Sequence, residues 1–256
     1  MNAQLTELLT KYGKVDGIWF DGWWDHDEDS VPFNWQLPEQ YRIIHSLQPA
    51  CIIGNNHHQT PFEGEDMQMF ERDIPGENKS GLSGQSISQL PLETCQTMNG
   101  MWGYKIKDQD YKSSKELIRL LVRTAAKGAN LLLNIGPQPN GELPATALDR
   151  LADMGKWLNG KAGESIYATV RGNINVGDSI VSTMGKGKNA PLYIHVLSDT
   201  VPSSVTLPIK SKIKNAVNLE NGNKIKYQRN RKAGTISFMT DRQDNDNTDY
   251  IIKVEF

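Results

Sequence analysis

Apolar and polar positions over the first 165 residues follow two periods, which predicts alternating helices and strands. Helical spacing marks residues 5–12, 38–47, 113–127 and 146–158. Short apolar runs predict strands at 15–21, 51–54, 67–70, 92–98 and 130–135. The segment 74–90 is rich in glycine, serine, asparagine and proline, so we expect a loop there.

The two later helices have the clearest amphipathic stripes. In the first, Ser113 is a suitable N-cap, Gly128 ends the helix, and one face carries Leu117, Leu120, Leu121 and Ala125. In the second, the predicted buried stripe is Leu148, Leu151, Met154 and Trp157.

Beyond residue 166 the pattern changes to short alternating runs separated by turns. The runs lie at 179–183, 192–196, 204–207, 235–239 and 250–254. This spacing is typical of an antiparallel β-sandwich of about 90 residues. We therefore predict two domains, residues 1–163 and residues 164–256.

The first domain supplies only four or five strands, whereas a complete (β/α)8 barrel needs about 250 residues. The predicted fold class is α/β: a partial (β/α)8 TIM-type barrel, its second half, followed by an all-β sandwich domain. The chain opens on a helix with no preceding strand to pack on. We expect it to begin inside a larger fold.

Composition narrows the function classes. The formal net charge is -2, from 28 basic and 30 acidic residues, so neither nucleic acid nor a membrane is an expected partner. No apolar run reaches the roughly 18 residues of a membrane span. The only cysteines, Cys51 and Cys95, make no disulfide framework or zinc cluster, and we expect both to be buried.

The first predicted strand ends abruptly in a carboxylate, Asp21, flanked by tryptophans. Catalytic groups collect at the C-terminal ends of parallel strands. The faces of Trp19, Trp23 and Trp24 suit stacking on sugar rings, and a carboxylate among aromatics suggests a glycosidase nucleophile. The alternative is that Asp21 only caps the following turn.

Glycoside hydrolysis needs a second carboxyl group. Glu71 ranks first because it ends another predicted strand; Phe70 beside it disfavours the charged carboxylate, although Arg72 favours it. Glu93, at the start of a strand, ranks second, and Glu77, in the loop, ranks third.

His57 and His58 follow a strand tip directly. They suit hydrogen bonds to sugar hydroxyls, a structural role, or a metal site with Asp21, Asp25 or Glu71, although they lack helical i, i+4 spacing. Trp102 is a candidate pocket wall or an ordinary core residue. No glycine-rich phosphate loop is present.

Three motifs in register resemble the α-L-fucosidases of glycoside hydrolase family 29, over residues 1 to about 165. They are the run from Gly17 to Gly22, the stretch from Leu92 to Tyr104, and the stretch from Asn130 to Pro137 followed by Gly141 and Glu142. The resemblance implies a retaining exo-hydrolase that releases terminal α-L-fucose without a cofactor or metal.

The resemblance also implies residue roles. Asp21 matches the nucleophile, and Glu71, 50 residues later, is similar to the acid/base. The implied substrate contacts are Trp19, Trp23, His57, His58, Trp102 and Tyr104, with Trp102 packing on the C5 methyl of fucose.

The family's N-terminal half-barrel is absent from this chain. The resemblance therefore implies an incomplete catalytic unit, completed by a partner chain or by self-association. It also implies a periplasmic, secreted or lysosomal location. Two alternatives stay open: a non-catalytic carbohydrate-binding remnant, and a metal-dependent hydrolase that uses His57 and His58.

Overall fold

A computed structural model describes residues 1–242 and 245–256. The chain divides into two compact units, Met1–Gln96 and Thr97–Phe256. The domain boundary that the sequence predicts between residues 163 and 164 stays a prediction. In the described part of the chain, no helix has the length and apolar character needed to cross a membrane.

The first unit contains the two helices and four strands that the sequence predicts there. The helices are α1 (Asn2–Lys11) and α2 (Leu37–Leu47), and the strands are β1 (Gly17–Phe20), β2 (Ile52–Asn55), β3 (Met67–Glu71) and β4 (Leu92–Thr97). The strands run parallel in the order β1-β2-β3-β4. Helix α2 lies between β1 and β2, whereas loops join β2 to β3 and β3 to β4, and the parallel sheet is the one expected of a half-barrel.

Strand β1 begins two residues later than predicted. The backbone N–H of Val15 donates to Oε1 of Gln48 at 2.8 Å, so a side chain from the end of α2 takes the place of a strand partner. Gln48 also donates to the carbonyls of Leu9 and Gly13. One side chain thus ties α1, the turn after it and the start of β1 together.

One face of the first sheet packs against the helices. Phe20 meets Tyr41 of α2 edge-on, with ring centroids 5.4 Å apart, and both belong to a buried cluster with Leu5, Leu9, Ile44, Cys51 and Ile53. Cys95 is buried as well, which confirms the prediction for both cysteines.

The second unit opens with α3 (Ser114–Ala126), β5 (Ala129–Asn134) and α4 (Ala145–Asn159). Ser113 caps α3 as predicted: its hydroxyl accepts the N–H of Glu116, and the Glu116 carboxylate accepts the N–H of Ser113. Gly128 follows α3 at φ 76°, a left-handed conformation that favours glycine.

The predicted buried stripes of α3 and α4 need correction. On α4, Leu148 and Leu151 are 49% and 37% exposed, and the buried residues are Ala147 and Met154. The small Ala147 allows close packing in the cluster that holds Leu117, so the leucines lie at the flank. On α3, the buried apolar residues are Leu117, Ile118, Val122 and Ala126.

The remaining strands are antiparallel and form two sheets. One has the order β10-β13-β8-β7-β6 and the other β11-β12-β9. Their bounds are β6 Thr169–Arg171, β7 Ile180–Gly185, β8 Leu192–Val196, β9 Ser204–Leu207, β10 Asn215–Asn218, β11 Lys226–Asn230, β12 Thr235–Met239 and β13 Tyr250–Glu255. Ile194 and Ile252 of the first sheet share a buried cluster with Leu207 and Phe238 of the second.

The α3 cap gives a stability prediction. Ser113→Ala removes the acceptor for the N–H of Glu116, and we expect a loss of about 1 kcal/mol in the free energy of unfolding. Urea unfolding followed by circular dichroism measures it. Ser113→Thr keeps a capping hydroxyl and should lose much less; equal losses in the two variants would contradict the capping role.

Candidate active site

The register of the first sheet places three polar side chains on one face. Phe20 is paired with Asn55, so Asp21 and Asn56 follow in line at the C-terminal ends of β1 and β2. Asn55 is in turn paired with Gln68, which puts Met69 in line with Asn56 and Glu71 two residues further along β3. Since residues two apart share a face, Asp21, Asn56 and Glu71 point to the same side.

The side-chain amide of Asn56 joins the two carboxylates. Its Nδ2 donates to Oδ1 of Asp21 at 3.2 Å and to Oε2 of Glu71 at 2.9 Å. Because both oxygens bond to one nitrogen, distances of 3.2 and 2.9 Å place them within 6.1 Å of each other. The structure thus brings together the predicted nucleophile and the first-ranked acid/base.

The backbone turns sharply just beyond these three strand tips. Gly22, His58 and Arg72 all adopt positive φ, at 82°, 59° and 59°. The left-handed conformation is uncommon for residues other than glycine, and such strain is concentrated at functional sites. These turns lead the chain away and leave the side chains of Asp21, Asn56 and Glu71 at the edge of the sheet.

His58 lies beside Glu71. Its Nε2 is 3.0 Å from Oε2 of Glu71, and both side chains are largely buried. The indole of Trp24 stacks on the imidazole, with centroids 4.8 Å apart and planes 4° apart. Trp24 is itself 40% exposed, so it offers an aromatic surface next to the carboxylates.

His57 points to the opposite face and has a different environment. Its Nδ1 accepts the backbone N–H of Gln59 at 2.9 Å, so the ring proton is on Nε2, which donates to Glu65 at 2.9 Å. The His57 and Glu65 side chains are almost fully buried. Both ring nitrogens are therefore already bonded, and this geometry favours a structural role for His57 over the predicted sugar contact.

The Glu65 carboxylate also holds Tyr41, which extends the buried network. The Tyr41 hydroxyl donates to Glu65 at 2.8 Å and accepts from Nδ2 of Asn55 at 2.8 Å. Burial raises the pKa of Tyr41 above its ordinary value, so the hydroxyl keeps its proton and donates. The network fixes the start of the loop that carries His57 and His58.

Glu93 and Cys95 of β4 lie on the same sheet face as the carboxylate pair. Cys95 is paired with Glu71, and Glu93 with Met69. Burial, together with the charges of Glu71, Asp21 and Glu93, raises the pKa of the Cys95 thiol to about 12. Burial also raises the pKa of Glu93, which suits a proton donor and keeps it as the second candidate for the acid/base.

Glu77, the third-ranked candidate, lies in the loop after β3. Its Oε2 is 2.9 Å from Nζ of Lys79. The loop is held by Asp73, whose carboxylate accepts the backbone N–H groups of Lys79 and Ser80. The geometry thus pairs Glu77 with a lysine and brings Glu71, not Glu77, to Asn56.

Two of the predicted aromatic contacts, Trp19 and Trp23, lie in the first unit and differ in exposure. Trp19 lies on the Asp21 face of β1 by alternation and is 42% exposed. Trp23 is half-buried among Trp35, Phe62 and His57, so much of its surface is used in packing.

Trp102 and Tyr104 belong to the second unit. The Trp102 carbonyl accepts Nδ2 of Asn134 at 2.6 Å. The backbone of residues 103–104 passes so close to Gly136 that a Cβ there would lie 2.4 Å from the Tyr104 nitrogen. Glycine in the third motif therefore allows the two motifs to meet, while the sugar contacts of Trp102 and Tyr104 stay predictions.

Sequence reasoning missed Asn56 and Glu65 as parts of this site. The feature of the sequence that could have indicated Asn56 is its position at the C-terminal end of a predicted strand. The described residues contain no group of three or more histidine, cysteine, aspartate or glutamate side chains placed to hold a metal ion.

The buried network gives a second stability prediction. Tyr41→Phe removes the acceptor of Nδ2 of Asn55 and one of the donors to Glu65, which keeps His57, and we expect a loss of about 1–3 kcal/mol in the free energy of unfolding. Tyr12→Phe removes the hydroxyl of an exposed tyrosine and serves as the matched control. Urea unfolding of both variants measures the effect, and the same small loss in each would contradict the account of the network.

Comparisons with known proteins identify the family of this chain. A family model described as Alpha-L-fucosidase matches residues 1–163. The plasma α-L-fucosidase of Rattus norvegicus is 42% identical over 174 residues, covering 65% of this chain and 35% of the relative. An α-L-fucosidase of Dictyostelium discoideum is 42% identical over 170 residues, covering 65% of this chain and 34% of the relative.

Solved structures show the same fold. Alpha-L-fucosidase isoenzyme 1 of Paenibacillus thiaminolyticus is 29% identical and superposes with a TM-score of 0.77, over 100% of this chain and 61% of that one. This chain spans about a third of the length of the curated relatives above. With a family model matched over more than half of its residues, the chain belongs to the α-L-fucosidase family.

Proposed function

We propose that this chain carries the catalytic carboxylates of a retaining exo-glycoside hydrolase that releases terminal α-L-fucose from glycoconjugates. The observation that carries the proposal is the Asp21–Asn56–Glu71 arrangement at the C-terminal edge of the parallel strands. Fucosylated glycans are the substrate class that family membership supports.

The proposed reaction is a double displacement. Asp21 attacks the anomeric carbon while the glycosidic C–O bond breaks and Glu71 gives its proton to the leaving oxygen. Glu71 then takes a proton from water, which attacks the same carbon and releases Asp21. Retaining enzymes hold their carboxyl groups about 5–5.5 Å apart and inverting enzymes about 6.5–9.5 Å apart. The 6.1 Å upper limit between the bridged oxygens supports the retaining course.

The aromatic and histidine side chains are proposed to shape the sugar pocket. His58 faces Glu71, and Trp24 and Trp19 offer exposed aromatic faces on this side of the sheet. We also propose Trp102 and Tyr104 as contacts from the second motif, and the two antiparallel sheets as a β-sandwich domain with a supporting role. A partner chain or second copy that completes the barrel stays a prediction, which light scattering of the purified chain checks.

The two rival functions differ in what they need from the site. A metal-dependent hydrolase needs free histidine nitrogens, and those of His57 are bonded to Glu65 and Gln59. A carbohydrate-binding remnant would bind fucose without turnover, and the following assay separates it from an enzyme.

The first test of the function is release of 4-nitrophenol from 4-nitrophenyl α-L-fucoside. We expect turnover by the parent and a loss on the order of 10³-fold or more in kcat for Asp21→Asn, because the nucleophile is removed. Asp16→Asn, at the exposed residue directly before β1, is the control and should keep the parent rate. A well-folded parent that binds fucose without hydrolysing the fucoside would favour the binding remnant.

The second test assigns the proton donor. Glu71→Gln should lose far more activity on methyl α-L-fucoside than on 4-nitrophenyl α-L-fucoside, because 4-nitrophenolate leaves without protonation. Azide should restore turnover of the activated substrate by Glu71→Ala, with fucosyl azide as the product. If Glu93→Gln or Glu77→Gln shows this pattern and Glu71→Gln does not, the assignment moves to that residue.

A further inference from the structure

The two adjacent asparagines at the end of β2 point to opposite faces of the sheet. Asn55 donates to the Tyr41 hydroxyl on the helix side, whereas Asn56 donates to Asp21 and Glu71 on the other side. Period-two alternation along an extended chain explains the difference. The same residue type therefore serves two separate networks.

The position of Asn56 is fixed by the backbone. Its N–H donates to the carbonyl of Phe20 at 2.9 Å, which extends the β1–β2 pairing by one residue. The residue is 3% exposed. Its side chain therefore has little freedom, and the two carboxylates that it bonds are held relative to the sheet.

The orientation of the amide follows from its neighbours. The atom between two carboxylate oxygens must be the nitrogen, because only the NH2 group can donate to both. Oδ1 then points elsewhere and is buried, and none of the residues that the structure describes donates a hydrogen bond to it. A buried acceptor without a donor costs stability, so the gain from this orientation lies in the carboxylate contacts.

We infer that Asn56 is a positioning residue for the proposed reaction: it holds Asp21 and Glu71 at their working separation, at the expense of its own buried carbonyl oxygen. The catalytic part of this inference rests on the proposed function. The amide donates to one oxygen of each group, which leaves the second oxygen of Glu71 to carry the proton that the reaction uses. Without the bridge, the carboxylates separate and the reacting geometry is lost.

The kinetic test uses Asn56→Leu on the full chain with 4-nitrophenyl α-L-fucoside. We expect kcat to fall about 10²-fold, the order of loss for a displacement near 1 Å. KM should stay within about threefold, because the bridge acts on the reacting groups and not on sugar binding. Asn56→Asp keeps the size of the side chain but replaces the donor with an acceptor, and it should also lose kcat; either variant with the parent kcat would overturn the inference.

Stability distinguishes positioning from a structural role. Asn56→Leu removes the buried unpaired oxygen, so we expect a urea midpoint equal to or above that of the parent. Asn55→Leu strips the Tyr41 hydroxyl of its donor, and its midpoint should fall. Equal losses in the two variants, with the kcat of the folded Asn56→Leu protein unchanged, would make Asn56 purely structural.

Crystal structures of the parent and of Asn56→Leu give a readout that needs no turnover. The nearest oxygens of Asp21 and Glu71 should lie further apart in the variant. An unchanged separation overturns the inference whether or not the fucoside is hydrolysed. An inactive parent whose carboxylates still separate in the variant would instead refute the proposed function and leave the bridge in place.

Discussion

The parallel register of β1, β2 and β3 is the constraint on which the site depends. Pairing Phe20 with Asn55, and Asn55 with Gln68, brings residues that are 35 and 15 positions apart in the chain within hydrogen-bond distance of one amide. A shift of one residue in either pairing would turn one member to the helix side. The same register brings Met67 and Met69 of β3 close to Gly54. A Cβ at position 54 would lie 3.0–3.2 Å from their side chains, so glycine allows this close pairing.

Much of this arrangement can be predicted from the sequence. The elements of the first unit follow from hydrophobic periodicity, and Asp21 and Glu71 follow from the rule that functional groups collect where parallel strands end. The capping box at Ser113 is readable because all its interactions are local. The same alternation rule, carried just past the end of β2, also places His57 on the face opposite to Asn56.

The remaining features of the fold and the site depend on contacts between residues far apart in the chain, which no local sequence pattern contains. The role of His57 is set by Glu65, a loop residue whose burial is decided by Tyr41 of α2. Leu148 and Leu151 have helical spacing, but the packing of Ala147 decides which face of α4 is buried. The hydrogen bonds of Asn56 to both carboxylates require the register of three strands at once. The sequence around Asn56 does not contain that register, so it does not predict these hydrogen bonds. Strand tips are thus predictable one by one, whereas their mutual hydrogen bonds are not.

The central claim is that Asp21, one member of the carboxylate pair, forms a covalent bond to the sugar. The most direct measurement is mass spectrometry of the chain after incubation with 2-fluoro-fucosyl fluoride, followed by peptide mapping. The account predicts a mass increase of one fluorofucosyl group on the peptide that carries Asp21, and none in Asp21→Asn. A label on Glu71 or Glu93 in its place, or turnover of the reagent without any labelled protein, would contradict it.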